Sequence, residues 1–123
     1  MIKIRLKLTG QDMQVLAQGV LEAGRGMKIA GLDSLLAVNT LENLFIRMYK
    51  LYAPHRDKIT LRLSLVEVIV LSKFVLPGMM AETGTLTFFV ASGISETIEH
   101  WGEREVNLYN SMKPQNYAQN DQQ

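Results

Sequence analysis

The sequence predicts an α+β domain of two strand-helix-helix repeats (β-α-α-β-α-α), with an antiparallel two-stranded ribbon packed on four helices. Three observations predict it. Two short segments alternate apolar and polar residues with period 2. Each is followed at once by a helix-capping signal. The two segments also resemble each other at a single offset of 55 residues.

The first segment places Ile4, Leu6 and Leu8 between Lys3, Arg5 and Lys7, as a strand buried on one face requires. Thr9 and Asp12 then form a capping-box pattern, in which the hydroxyl accepts from an early helix N–H and the carboxylate reaches back. A helix is expected over residues 11–22, stopping at Gly24-Arg25-Gly26. Asp33 or Ser34 can cap a second helix. Its 3.6-period stripe is Val38, Leu41, Leu44, Phe45, Met48, Leu51 and Tyr52, and Pro54 ends it.

The second unit repeats this grammar. Ile59, Leu61 and Leu63 alternate with Lys58, Thr60 and Arg62, and Ser64 and Glu67 repeat the capping box. The following helix is expected over residues 65–76, with Pro77-Gly78 as its breaker. Thr83 or Thr85 caps a last helix with Leu86, Val90, Ile94, Ile98 and Trp101 on its inner stripe. Gly93 within it costs about 1 kcal/mol against alanine, which close packing against another element would explain. Between residues 3–21 and 58–76, eight of nineteen positions are identical: Lys3/Lys58, Ile4/Ile59, Leu6/Leu61, Leu8/Leu63, Val15/Val70, Leu16/Leu71, Val20/Val75 and Leu21/Leu76. Shared hydrophobicity does not align the basic residues and the caps as well, so an internal duplication is expected; the second helices share only their architecture.

One domain is therefore expected over residues 1–106, its repeats covering about 2–53 and 57–105. Residues 107–123, rich in Asn and Gln, read as a disordered polar tail. An isolated two-stranded ribbon is marginal in water, so it must lie on the helices. Strand pairing within one chain and between two chains both satisfy the pattern.

Composition narrows the functional classes. The absence of cysteine removes disulfides, thiolate metal sites and cysteine nucleophiles. The N-terminus MIKIRLKL has no continuous apolar run of the signal-peptide kind, and the uncharged stretch 83–95 is too short to span a bilayer. A soluble, cytoplasmic protein without membrane contact is expected. The net charge of +1 is unevenly placed: residues 1–62 carry ten Lys/Arg and five Asp/Glu, and residues 63–123 carry three and seven. Such a split suits self-association or steering of a charged partner, and equally describes two solvated surfaces that differ. The methionines read as core filler.

No catalytic constellation emerges. His55 stands between Pro54 and Arg56 in a turn. His100 shares a helical face with Glu96 and Glu103, but no second ligand cluster accompanies it and neither HExxH nor paired ExxH helices occur. A solvated helix face is the expectation, with no metal and no cofactor. Residues 26–31 have the glycine spacing that opens a phosphate-binding loop, yet they continue Leu32-Asp33 where Lys and Ser/Thr belong, and they follow a helix. Gly93 and Ser95 do not complete GxSxG.

The ribbon is what remains. Lys3, Arg5, Lys7, Lys58, Thr60 and Arg62 fall on its outward positions, and residues 3–8 and 58–63 contain no acid. A two-stranded ribbon fits the DNA major groove, where such side chains reach phosphates and base edges. In the order of its strand and helices, with a Thr/Ser start to the first helix, residues 2–53 and 57–105 resemble the ribbon-helix-helix DNA-binding proteins. In that family two chains each supply one strand; here one chain would supply both. The resemblance implies groove contact by Lys3, Arg5, Lys7, Thr60 and Arg62. Lysines on exposed strands also guard against edge-to-edge aggregation, and a pI of 8.0 is low for a nucleic-acid binder. The leading expectation is a non-enzymatic interaction domain that self-associates as a homo-oligomer or binds a protein partner, with DNA binding by the basic ribbon as the alternative.

Overall fold

The computed structural model describes residues 2–52 and 56–112. Pro54 and His55 lie outside these, as do residues 113–123 of the expected tail. The described residues are mixed α+β and mostly helical, with one two-stranded antiparallel sheet and four helices.

Strand β1 (Lys3–Leu8) and strand β2 (Ile59–Ser64) form the ribbon within one chain. The alternation works as expected. Ile4, Leu6, Leu8, Ile59, Leu61 and Leu63 are buried, and the residues between them face solvent. Each strand hands over to a capped helix. Thr9 Oγ1 accepts the Asp12 N–H at 3.0 Å, and the Thr9 N–H donates to Asp12 Oδ2 at 3.4 Å. Ser64 and Glu67 repeat both bonds at 3.2 and 2.9 Å.

Helix α1 (Gly10–Gly26) buries Met13, Leu16 and Val20. It runs four residues past its expected end, through Gly24-Arg25-Gly26. Ala23 and Met27 pack on the core on either side of the glycines and hold the last turn in place. Helix α2 (Leu32–Leu51) starts from Gly31, not from Asp33 or Ser34. Ser34 instead reaches back: its Oγ accepts the N–H groups of Ala30 and Gly31 and donates to the Gly31 carbonyl. Ala37, Leu41, Leu44 and Met48 form its buried stripe.

Helix α3 covers residues 65–79 and passes straight through the expected breaker. Its segments are Leu65–Val70 (α), Leu71–Val75 (π) and Leu76–Met79 (α). Proline lacks an N–H and its ring clashes with the carbonyl four residues back. The wider π turn, in which the Leu76 N–H donates to the Leu71 carbonyl, opens the helix just before Pro77 and accommodates both defects. Helix α4 (Leu86–Met112) is capped by Thr85, whose Oγ1 accepts the Phe88 N–H at 3.1 Å. Val90, Ala91, Ile94, Ile98 and Trp101 are buried, while Leu86, expected on the inner stripe, is 49% exposed. The composition change at Asn107 does not end this helix. Residues 107–112 continue it, because extending a nucleated helix costs only tenths of a kcal/mol per ordinary residue.

Gly93 does not make the close approach expected of it: a Cβ there has no neighbour within 4 Å. The close approach is at Gly19, where a Cβ would stand 2.5 Å from Met79 Sδ. Helix α2 packs chiefly on α1 and also against α3 and β2, and α4 packs against α1, α3 and β1. Among the described residues no helix is long and apolar enough to cross a membrane.

Candidate interaction surfaces

The solvent face of the ribbon carries Lys3, Arg5, Lys7, Thr60 and Arg62, and exposed Lys58 stands just before β2. The register sets Arg5 directly opposite Arg62, Lys7 opposite Thr60 and Lys3 opposite Ser64. Like charges opposite each other across a ladder are unfavourable. Among the described residues, none of these cations makes an ion pair. All six residues singled out in the sequence are thus brought to one surface and remain available to a negatively charged partner.

The two ends of the ribbon differ. Near the start of β1 and the end of β2, Lys3, Asn39, Asn43, Arg47, Arg62 and Glu67 line a polar cavity of about 560 Å³. At the other end Lys7 and Asp12 meet Leu86, Phe89, Val90 and Ile94 around a mostly apolar cavity of about 350 Å³. The polar end is organised by a contact across 20 residues of sequence that spacing could not reveal. Arg47 Nη2 donates to the Arg62 carbonyl at 2.7 Å and to Glu67 Oε1 at 3.0 Å, and lies 2.8 Å from Glu67 Oε2. Burial pushes the Glu67 carboxyl up. The Arg47 hydrogen bond and charge, with the Ser64 N–H and hydroxyl, outweigh it and hold the carboxyl below its ordinary value.

A second surface went unnoticed in the sequence. Outside its buried stripe, helix α2 exposes Leu32 (83%), Leu35, Leu36, Ile46 and Tyr49 (73%). The signal was available: α2 carries apolar residues around its whole circumference, and a surface helix normally carries them on one side. Beside this crest an apolar groove of about 420 Å³ runs between α1 and α2, lined by Val20, Leu21, Val38, Leu41, Phe45 and Ile46.

His100 stands in solvent with Glu96 at 3.7 Å and Glu103 at 4.0 Å, all three more than 60% exposed. Among the described residues no group of three His, Cys, Asp or Glu converges as a metal site. A cavity of about 710 Å³ between α1 and α3 brings together Gln14, Gln18, Glu22 and Glu82 and has no histidine in its lining.

No protein-family model matches the chain, and no curated protein or solved structure does.

Proposed function

We propose that this chain is a non-enzymatic interaction domain that works by associating with a second copy of itself. The observation that carries the reading is the exposed apolar face of α2, where five large hydrophobic side chains stand in solvent on one helix. Leu32, Leu35 and Leu36 group at one end of the helix and Ile46 and Tyr49 at the other, with exposed Asn39, Glu42 and Asn43 between them. Grouped large apolar side chains in solvent mark interaction sites where scattered single residues do not. The nearly balanced charge of the whole chain, split between a basic and an acidic half, favours like molecules meeting over a strongly anionic partner. Sedimentation velocity across a concentration series tests the reading through the rise of the average mass.

The same reading includes an internal duplication. Under the offset of 55, Leu6 pairs with its own counterpart Leu61, Ile4 with the counterpart of Leu8, and Leu8 with the counterpart of Ile4. The register is therefore its own image under exchange of the two copies. The matched capping boxes obey the same exchange, as does the packing of α2 on α1, α3 and β2 and of α4 on α3, α1 and β1. These features support descent from a twofold-symmetric pair of strand-helix-helix units.

DNA binding by the ribbon is the second reading, favoured by the unneutralised Arg5–Arg62 pair at its centre. It predicts complexes with duplex DNA at low salt that weaken steeply as salt rises. Replacing Lys3, Arg5, Lys7 and Arg62 with alanine should reduce the affinity by at least about 100-fold, at roughly 1 kcal/mol for each lost charge-assisted contact. Unchanged affinity in that variant removes the ribbon from any nucleic-acid role.

A further inference from the structure

The cavities at the two ends of the ribbon are counterparts. Each is bounded by an outward cation of one strand, the acid of the capping box that follows that strand, and a row of residues at i, i+4 and i+8 on a long helix. At one end these are Arg62, Glu67 and the α2 row Asn39, Asn43 and Arg47. At the other they are Lys7, Asp12 and the α4 row Phe89, Gly93 and Thr97. Lys7 and Arg62 stand at the offset of 55, as do Asp12 and Glu67. The two rows differ in chemistry. The α4 row offers a ring, a glycine and a hydroxyl whose proton is spent on the Gly93 carbonyl at 3.0 Å. The α2 row offers two amides and a guanidinium.

We propose that the cavity of about 560 Å³ beside α2 binds a phosphate monoester. This is independent of the self-association reading and holds for a monomer or a dimer. Charge decides the class of ligand. Lys3, Arg47 and Arg62 line the cavity with a single carboxylate, that of Glu67, which leaves two positive charges. Arg5, directly opposite Arg62 in the register, adds a further cation to the same face. A phosphate monoester brings nearly two negative charges at neutral pH and three strong acceptor oxygens. A carboxylate or a phosphodiester brings one charge and would leave the cavity positive. The volume is larger than a phosphate group and lies in the range of small-molecule sites, so the organic part of the ester has room as well. At the other end Lys7 and Asp12 cancel, and that cavity has no net charge to neutralise.

The donors are in place before a ligand arrives. Arg47 is held by Glu67 and by the Arg62 carbonyl through Nη2 alone, so the N–H groups on Nε and Nη1 are left to donate elsewhere. Asn43 Nδ2 donates to Asn39 Oδ1 at 3.3 Å, which occupies the Asn39 oxygen and leaves both Asn39 N–H groups to donate. Lys3 and Arg62 are diagonal neighbours across the ladder, since Lys3 pairs with Ser64 and Arg5 with Arg62. Their Cα atoms are about 7–8 Å apart, within reach of one anion for side chains of this length. Neither makes an ion pair among the described residues. A dianion between them also offsets the repulsion of Arg5 and Arg62.

Nuclear magnetic resonance of the isotope-labelled full chain tests the site. Methyl phosphate is titrated at constant ionic strength, above its second pKa of about 6. The side-chain amide signals of Asn39 and Asn43 should shift with a dissociation constant on the order of 1 mM. Dimethyl phosphate, the monoanionic diester, should bind at least about tenfold more weakly. Arg62→Ala should weaken methyl phosphate by about tenfold or more. Lys7→Ala, an equal loss of charge at the other end of the ribbon, should weaken it by no more than about twofold. Both side chains face solvent, so the fold survives either change. Amide signals that stay in place up to about 50 mM methyl phosphate overturn the site. Equal affinity for the diester overturns the monoester and favours contact with a nucleic-acid backbone. Equal losses in Arg62→Ala and Lys7→Ala overturn the cavity as the place of binding and leave only the general charge of the ribbon.

Discussion

Leu61→Ala is expected to lower the unfolding free energy by about 2–5 kcal/mol. Leu61 is fully buried and lies opposite Leu6, itself 2% exposed, at the centre of the ribbon register. Truncation there removes transfer free energy and leaves a cavity that two strands held by the surrounding helices cannot close. Against a total stability of about 5–15 kcal/mol for a small domain, the variant should be marginal at room temperature. Arg62→Ala, one residue on and facing solvent, is the matched control. It relieves the repulsion from Arg5 and should change stability by no more than about 0.5 kcal/mol. Equilibrium denaturation measures both. A cost for Leu61→Ala below about 1 kcal/mol contradicts the placement of the ribbon floor in the core.

Arg47→Ala should cost about 1–3 kcal/mol, the range for removing a charged partner and stranding a partly buried group. Glu67 keeps only 12% of its side chain exposed, and Arg47 is its counter-charge as well as a donor to the Arg62 carbonyl. Because folding lowers the Glu67 pKa, its contribution is fully present above the ordinary value of 4.5. It is lost as pH falls through the lowered folded value. Wild-type stability should therefore decline below about pH 4.5, and Arg47→Ala should show a shallower acid-side decline. Denaturation curves at several pH values check this. Parallel slopes in the two proteins would show that the ion pair does not set the folded pKa.

The strands and their caps were readable because their causes are local. Period-2 alternation decides which face of a strand is buried, and a Thr or Ser three residues before an acid satisfies the first helix N–H groups wherever it occurs. Helix ends were less readable, since what overrides a breaker is tertiary. Met27 and Ala23 hold α1 past its glycines, and the π turn before Pro77 carries α3 through a proline that local rules treat as a stop. Asn107 changed the composition without changing the helix, since α4 was already nucleated and packed through Trp101.

The candidate surfaces divide the same way. Outward placement of Lys3, Arg5, Lys7, Thr60 and Arg62 followed from strand periodicity alone. Arg47 was invisible because its partner is 20 residues distant and their meeting depends on how α2 crosses β2. The crest of α2 was overlooked for a different reason. Leu41, Leu44 and Met48 already satisfy the core-facing period of α2, so periodicity alone does not say that further apolar residues on the same helix point outward. Leu32, Leu35, Ile46 and Tyr49 have the right spacing for a second stripe, and only their exposure shows that it points outward.

Self-association is the centre of this account, and sedimentation velocity tests it most directly. From about 1 µM to several hundred µM, the usual range of weak self-association, the weight-average mass should climb from 13.9 kDa toward twice that value. A mass that stays at 13.9 kDa over the whole range contradicts the account.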